Sequence, residues 1–250
     1  YTVDPENTVY ASDEFGAFDI FTIPAKGGNA KRVTLHSANE YPYAYSPDGS
    51  TIYYSSTIGQ PAQSAVTGAA RLGELYAINH NGGRPTQILP TPAEEIAFAP
   101  DGRSFIYQDR KGIENNWRKH QVSSVARDIW SFDMASGKHT QLTTNVHDAR
   151  LPRYNNSGNT IYFLRERSGS FNVWSMKDGK EANAEQVTKF DTHPVRFLSI
   201  AKNETLCFGY NGEIYTWTKD KGTKKVSISI LNTDSPSKKS FLDIRGGSRH

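Results

Sequence analysis

Cysteine is all but missing from this sequence: Cys207 stands alone among 250 residues. One thiol excludes an internal disulfide and any site built from several cysteine ligands. Its setting, TLCFGY, reads as a strand, so a buried and inert thiol is expected. Long apolar runs are missing too, which excludes a membrane-spanning helix within these residues, and no stretch has the order of a signal peptide. No segment of useful length has helical periodicity. Charge is close to balanced, with 29 Lys and Arg against 26 Asp and Glu. The formal net charge of +3 is too small to argue for a nucleic-acid partner, and the pairs Lys224–Lys225 and Lys238–Lys239 read as solvated edges. The local signatures of catalysis are missing as well: G-x-S-x-G, H-E-x-x-H, a phosphate loop and G-x-G-x-x-G. A triad assembled from distant positions leaves no such trace. No catalytic residue, cofactor or metal ligand is assigned.

What the sequence has in quantity is aromatics and turns. There are 13 Tyr, 12 Phe and 4 Trp, with 20 Gly and 12 Pro. The stretch EYPYAYSPDGSTIYYSS, Glu40 to Ser56, joins two alternating runs by an Asp-Gly pair. It returns as EEIAFAPDGRSFIYQD (Glu94 to Asp109) and RLPRYNNSGNTIYFLRE (Arg150 to Glu166). A decayed copy is HPVRFLSIAKNETLCFGY (His193 to Tyr210). Alternation at period two marks strands, and a Gly-containing turn between two such runs marks a β-hairpin. The repetition makes the Asp-Gly stretch an architectural turn.

A second hairpin follows each first one. Its core is an acid or Asn, an apolar residue and an aromatic, as in RDIWSFDMASGKHTQLT (Arg127 to Thr143). The anchors are Asp19, Glu74, Asp128, Asn172 and Glu213, with successive spacings of 55, 54, 44 and 41 residues. Two hairpins per unit give four antiparallel strands, and repeats of this size predict an all-β protein, a β-propeller of four-stranded blades. Five units are visible. A sixth blade is expected from the amino-terminal strand and the VSISI segment, Val226 to Ile230, which would close the ring over exposed strand edges. The division expected is a propeller over residues 1–230. Residues 231–250 then form a terminal strand or tail, completing the last blade or ending in a GGSRH cloning remnant.

The repeats SPDG-x-x-I-Y-Y-x-S and D-I-W-S-F-D resemble those of TolB and tricorn-type propellers. HSANEYPYAYSPDG, ENNWRKHQVSSVARDIW and FLRERSGSFNVWS resemble, more narrowly, the amino-terminal propeller of Bacteroidetes-type tricorn-like serine peptidases. The resemblance implies a non-catalytic domain that recruits, gates or guides polypeptide substrate. It also implies PDZ-like and peptidase domains downstream, and a periplasmic or secreted location. Nothing after residue 230 resembles either domain, so the chain reads as part of a longer protein. The alternative is a stand-alone TolB-like interaction propeller of the cell envelope. A weaker third is a propeller lyase or glycosidase with carboxylates at the channel mouth.

Topology places the binding face. Strand alternation puts the Asp-Gly and Gly-Gly turns on one face and the second-to-third-strand loops and inter-blade connections on the other. Two of those loops are long inserts, Ser56 to Gly73 and Asp109 to Arg127. Long loops on a rigid scaffold carry function or are disordered. The first, small and polar, reads as a lid or a disordered loop. The second holds Trp117, Arg118, Lys119 and His120, residue types suited to anchoring a partner. His36, His147 and His193 lie on the inter-blade connections at unequal offsets from Pro42, Pro152 and Pro194, which argues against a metal-binding ring. Arg150, Arg153 and Arg196 flank the first strands. They would serve a peptide carboxylate or pair with local acids, the latter being the simpler expectation. The candidate binding residues are therefore the Trp117 to His120 group with Arg153, His193 and Arg196.

Overall fold

The structure is a computed structural model that describes residues 6–61, 72–113, 123–144 and 147–229. Its first sheet holds β1 (Asn7–Ser12), β2 (Asp19–Pro24) and β3 (Lys31–Arg32). The second holds β4 (Glu40–Tyr45), β5 (Thr51–Ser56), β6 (Glu74–Asn79) and β7 (Thr86–Leu89). The third holds β8 (Glu94–Phe98), β9 (Ser104–Gln108), β10 (Ile129–Asp133) and β11 (Lys138–Gln141). The fourth holds β12 (Ala149–Tyr154), β13 (Thr160–Arg165), β14 (Asn172–Lys177) and β15 (Glu185–Gln186). The fifth holds β16 (Arg196–Ile200), β17 (Leu206–Tyr210), β18 (Glu213–Thr218) and β19 (Gly222–Lys225). Strands lie side by side in chain order within every sheet. These are five blades of an all-β propeller. A sixth blade is not among the described residues. The amino-terminal strand is instead part of the first sheet, and the Val226 amide continues the fifth by donating to the Ile214 carbonyl at 2.9 Å.

The repeat motifs resolve into two structural devices. In the opening turn, Asp48 accepts from the Ser50 amide at 3.1 Å and from both flanking hydroxyls, Ser46 and Ser50, while Gly49 takes a φ of 74°. Those donors hold the exposed Asp48 carboxyl down at about 2, with Ser46 the largest contributor. The second device fastens the third strand to the end of the fourth. In blade three the Ile129 amide donates to Thr143 Oγ1 at 2.9 Å, and that hydroxyl donates to Asp128 at 3.0 Å. Blade four repeats this with Val173, Thr188 and Asn172 at 2.9 and 3.0 Å. The anchors Asp19, Asp128 and Asn172 are thus buried structural residues. Glu74 departs, accepting from Tyr76 and Gln87 at 2.7 Å each, and Glu213 pairs at the surface with Lys225.

Blades pack face to face in sequence. Leu75 and Tyr53 of blade two meet Phe105 and Phe132 of blade three, and Ile106 and Ile129 meet Phe163 and Trp174 of blade four. Leu164 and Val173 then meet Leu206 and Phe208 of blade five. Register makes Ile214 the counterpart of Leu75, Ile129 and Val173. Those three are fully buried at 0% exposure, whereas Ile214 is 42% exposed. Cys207 lies on that same outward face and is half-buried, not buried as the strand context suggested.

Candidate site at the channel mouth

Each of the four described innermost strands carries an irregularity at the same place. The pairing of β4, β8, β12 and β16 with the next strand slips between Pro42 and Ala44, Glu94 and Ala97, Arg150 and Arg153, and Arg196 and Ser199. Three of the four put a non-glycine residue in the left-handed region there: Glu95 at a φ of 54°, Leu151 at 51° and Phe197 at 59°. Blade two has Pro42 at the equivalent position, where the ring forbids positive φ. A left-handed non-glycine residue costs about 1 kcal/mol. The bulge re-aims side chains, so that two consecutive residues per strand reach one cavity in place of alternating faces. Those pairs are Glu94–Glu95, Arg150–Leu151 and Arg196–Phe197, with Tyr41 from blade two.

The cavity measures about 660 Å³ and is lined by blades two to five. Its wall differs from side to side. Blades two and three contribute Asn39, Tyr43, Gln108 and the two glutamates, while blades four and five contribute Leu151, Leu164, Phe171, Val195 and Phe197. Tyr41 and Phe197 are exposed aromatics, 43% and 67% accessible. Phe197 lies across Gly209, where an added Cβ would come within 3.1 Å of its Cδ2.

A charge network underlies the polar side. Glu94 accepts from Arg110 at 2.9 Å, from the buried Arg127 at 2.8 Å and from Gln108 at 3.1 Å. Gln108 in turn accepts the Leu151 amide at 2.9 Å, tying blade three to the bulge of blade four. Asp148 takes a two-point contact from Arg150 at 2.6 and 3.0 Å and the Arg127 amide at 3.2 Å. Arg150 also lies over the Phe171 ring at 5.3 Å. Burial lowers the Arg127 pKa; the Glu94 and Asp148 carboxylates oppose this, and the neighbouring Arg150 and Arg110 add to the lowering.

The residues expected from sequence divide. Trp117, Arg118, Lys119 and His120 lie outside the described residues. The stems of both inserts are described: Gln60 donates to the Leu72 carbonyl at 2.7 Å, and Lys111 donates to the Ala126 carbonyl and to Asp128, each at 2.6 Å. Arg196 lines the cavity. Arg153 pairs with Glu95 at 2.7 Å and Arg150 with Asp148, which is the local pairing expected for them. His193 lies against Tyr210, ring centres 6.0 Å apart, in a separate depression beside Ile214. Among the described residues no three His, Cys, Asp or Glu form a group that could hold a metal ion. Sequence reasoning missed Tyr41, Glu94 and Arg127. Superposing the four first hairpins would have exposed the first two, because Tyr41, Glu94, Arg150 and Arg196 occupy one register position.

Residues 3–223 match the profile of the tricorn protease N-terminal β-propeller domain, which is most of the chain. The chain belongs to that family. An uncharacterised protein of Agrobacterium fabrum is 26% identical over 180 residues, 69% of this chain and 54% of its own length. This tricorn-type propeller therefore spans about half of the curated relative it matches. A TolB-type structure from Agrobacterium tumefaciens superposes with a TM-score of 0.69 at 19% identity, covering 90% of this chain and 78% of that one. TolB from Acinetobacter baumannii gives 0.67 at 16% identity, covering 90% and 53%. At these identities the likeness is one of fold. No helix among the described residues is long and apolar enough to cross a membrane.

Proposed function

We propose that this chain is a non-catalytic propeller of a tricorn-like peptidase that binds and guides polypeptide at its channel mouth. The observation that carries the reading is the convergence of four inner-strand bulges on one cavity with exposed aromatics. Strain held at equivalent positions, on rigid strands, is the mark of a site the fold maintains for use. Arg110 and Arg127, at the stem of the second insert, line the cavity, and the proposal assigns partner contacts to Trp117, Arg118, Lys119 and His120 of that insert. Partners are polypeptide substrate and the peptidase and PDZ-like domains of the parent, in a periplasmic or secreted setting.

A sixth blade completes the ring in this proposal. The support is Ile214, exposed at a position that the next blade buries three times over. On this account His193 lies in the junction with that blade. The propeller covers residues 1–230, and residues 231–250 follow it.

The test is direct. An unfolded, labelled polypeptide such as reduced casein should bind the chain and lose affinity on Tyr41→Ala, with no cleavage above a buffer control. Cleavage abolished by a serine-directed inhibitor overturns the non-catalytic assignment. The second reading, a stand-alone TolB-like interaction propeller, is favoured by the superposition over 78% of a TolB-type chain. The coding sequence beyond residue 250 separates the two.

A further inference from the structure

Blades three and four build the same corner from different charges. Register places Asp109 opposite Asp128 and Arg165 opposite Asn172, with Trp130 and Trp174 two residues further along the third strand. In blade three the Asp109 carboxylate is the acceptor of the corner. It takes the Asp128 amide at 2.7 Å and the Trp130 indole N–H at 3.2 Å, and Lys111 stands 3.4 Å from it. Blade four keeps the indole, as Trp174, and keeps a cation two residues after the corner, as Arg167. It puts a guanidinium where the carboxylate stands. Arg165 is 3% exposed and Trp174 7%. Arg165 Nη2 donates to Glu181, which also accepts from the Thr144 amide and hydroxyl at 2.9 and 2.8 Å. Arg165 Nε and Nη1 and Trp174 Nε1 are buried donors without an acceptor among the described residues.

Buried donors left unmet cost free energy, most of all on a charged group. The field around them has the sign that attracts an acceptor. Arg167 lies over the Trp174 ring at 5.9 Å. His147 is held below its ordinary pKa, by burial first and then by Arg165 and Arg167, with Glu181 opposing. The charges acting there are two guanidinium groups against one carboxylate, a surplus that one monoanion neutralises. We propose that this corner of blade four binds a small free carboxylate, the size of formate or acetate, in the role that the Asp109 side chain fills in blade three. One oxygen takes the Trp174 indole N–H, the other an edge of the Arg165 guanidinium, and the exposed Arg167 closes over both. The small size follows from enclosure, since all three donor atoms are shut off from solvent. Arg165, Arg167 and Trp174 are separate from the lining of the mouth cavity, so this site stands apart from the polypeptide reading.

The experiment is a thermal-melting titration of the 250-residue chain with sodium formate, acetate, sulfate and chloride, ionic strength held constant. The expected result is a rise with formate and acetate that saturates, about 5 °C at a hundredfold excess over the dissociation constant. Chloride should give no saturating rise. Arg167→Gln, an exposed change, should abolish the response to acetate while melting close to the parent in chloride. Trp174→Phe keeps the ring and removes the N–H. It should weaken acetate roughly tenfold yet cost no stability in chloride, because it removes a donor that has no protein acceptor. Lys111→Gln, in the blade that carries its own carboxylate, should leave the acetate response intact. Equal rises in acetate and chloride, or an acetate response that survives Arg167→Gln, overturn the site. A saturating sulfate response larger than that of acetate, and lost in Arg167→Gln, overturns the choice of a carboxylate as the ligand.

Discussion

The Arg127 guanidinium donates to the Glu94 carboxylate at 2.8 Å across a gap of 33 residues, joining the end of a long insert to the first residue of the same blade's innermost strand. Both side chains are largely buried. The pair is one of the ties that hold the insert stem at the cavity wall, beside Arg110 on the same carboxylate and Lys111 on Asp128.

Breaking that pair should be costly. Glu94→Gln leaves Arg127 buried against a neutral amide, with Arg110 and Arg150 nearby and Asp148 the remaining carboxylate. The expected loss is about 3–5 kcal/mol, the range for stranding one partner of a buried ion pair. Urea denaturation measures it; a loss under about 1 kcal/mol would mean that water already reaches the pair.

The threonine fastener makes a smaller, local prediction. Thr143→Val keeps shape but leaves the Ile129 amide and one Asp128 oxygen without the hydroxyl that joins them. A cost of about 1–3 kcal/mol is expected from unsatisfied buried groups. Thr188→Val should behave alike in blade four, and additivity of the two is checked by the double variant.

Glu40 gives the pH dependence. It is buried at the first position of β4, where the other blades place Ala93, Ala149 and Val195. Burial raises its carboxyl from 4.5 to about 7; a Thr34 hydrogen bond opposes the rise, Asp19 adds to it and Arg32 opposes it. The folded protein thus binds this proton more tightly than the unfolded chain does. Stability from this group is fully present below pH 4.5 and falls as pH rises, the loss being complete above about pH 7. Glu40→Gln, which stays neutral, should match the parent's melting temperature near pH 4 and exceed it at pH 8. An unchanged difference across that interval would place Glu40 in contact with solvent.

The insert provides a binding prediction. Trp117→Ala with Arg118→Ala should weaken polypeptide binding by ~2 kcal/mol or more, roughly thirtyfold, if that pair anchors the partner. Melting should shift little, since surface loops contribute within about 0.5 kcal/mol. A lower melting temperature with unchanged binding would make Trp117 a packing residue.

The hairpins, their Gly-bearing turns and the anchors Asp19, Asp128 and Asn172 were legible in the sequence because each rests on local chemistry that recurs once per blade. The cavity was less so. Nothing marks Glu95, Leu151 or Phe197 as left-handed, since the residue types that favour that conformation are Gly and Asn. Only the surrounding sheet imposes it. Arg127 and Glu94 meet through folding, and no spacing rule links positions 33 apart. Arg153 was legible as a residue with an acid nearby. His193 was placed on the right connection, but the cavity wall there is built by its neighbours Val195, Arg196 and Phe197.

The bulges have an evolutionary consequence. The bend that turns two side chains toward the mouth resides in the backbone slip of each inner strand, and it is present with Pro-Tyr, Glu-Ile, Leu-Pro and Phe-Leu alike across it. The exposed residues at these slips, Tyr41 and Phe197 above all, can therefore change while the threonine fasteners stay untouched. Such a scaffold can diversify what it holds by substitutions around a fixed ring of positions, with the buried lining residues Leu164, Phe171 and Val195 kept by the core they also build.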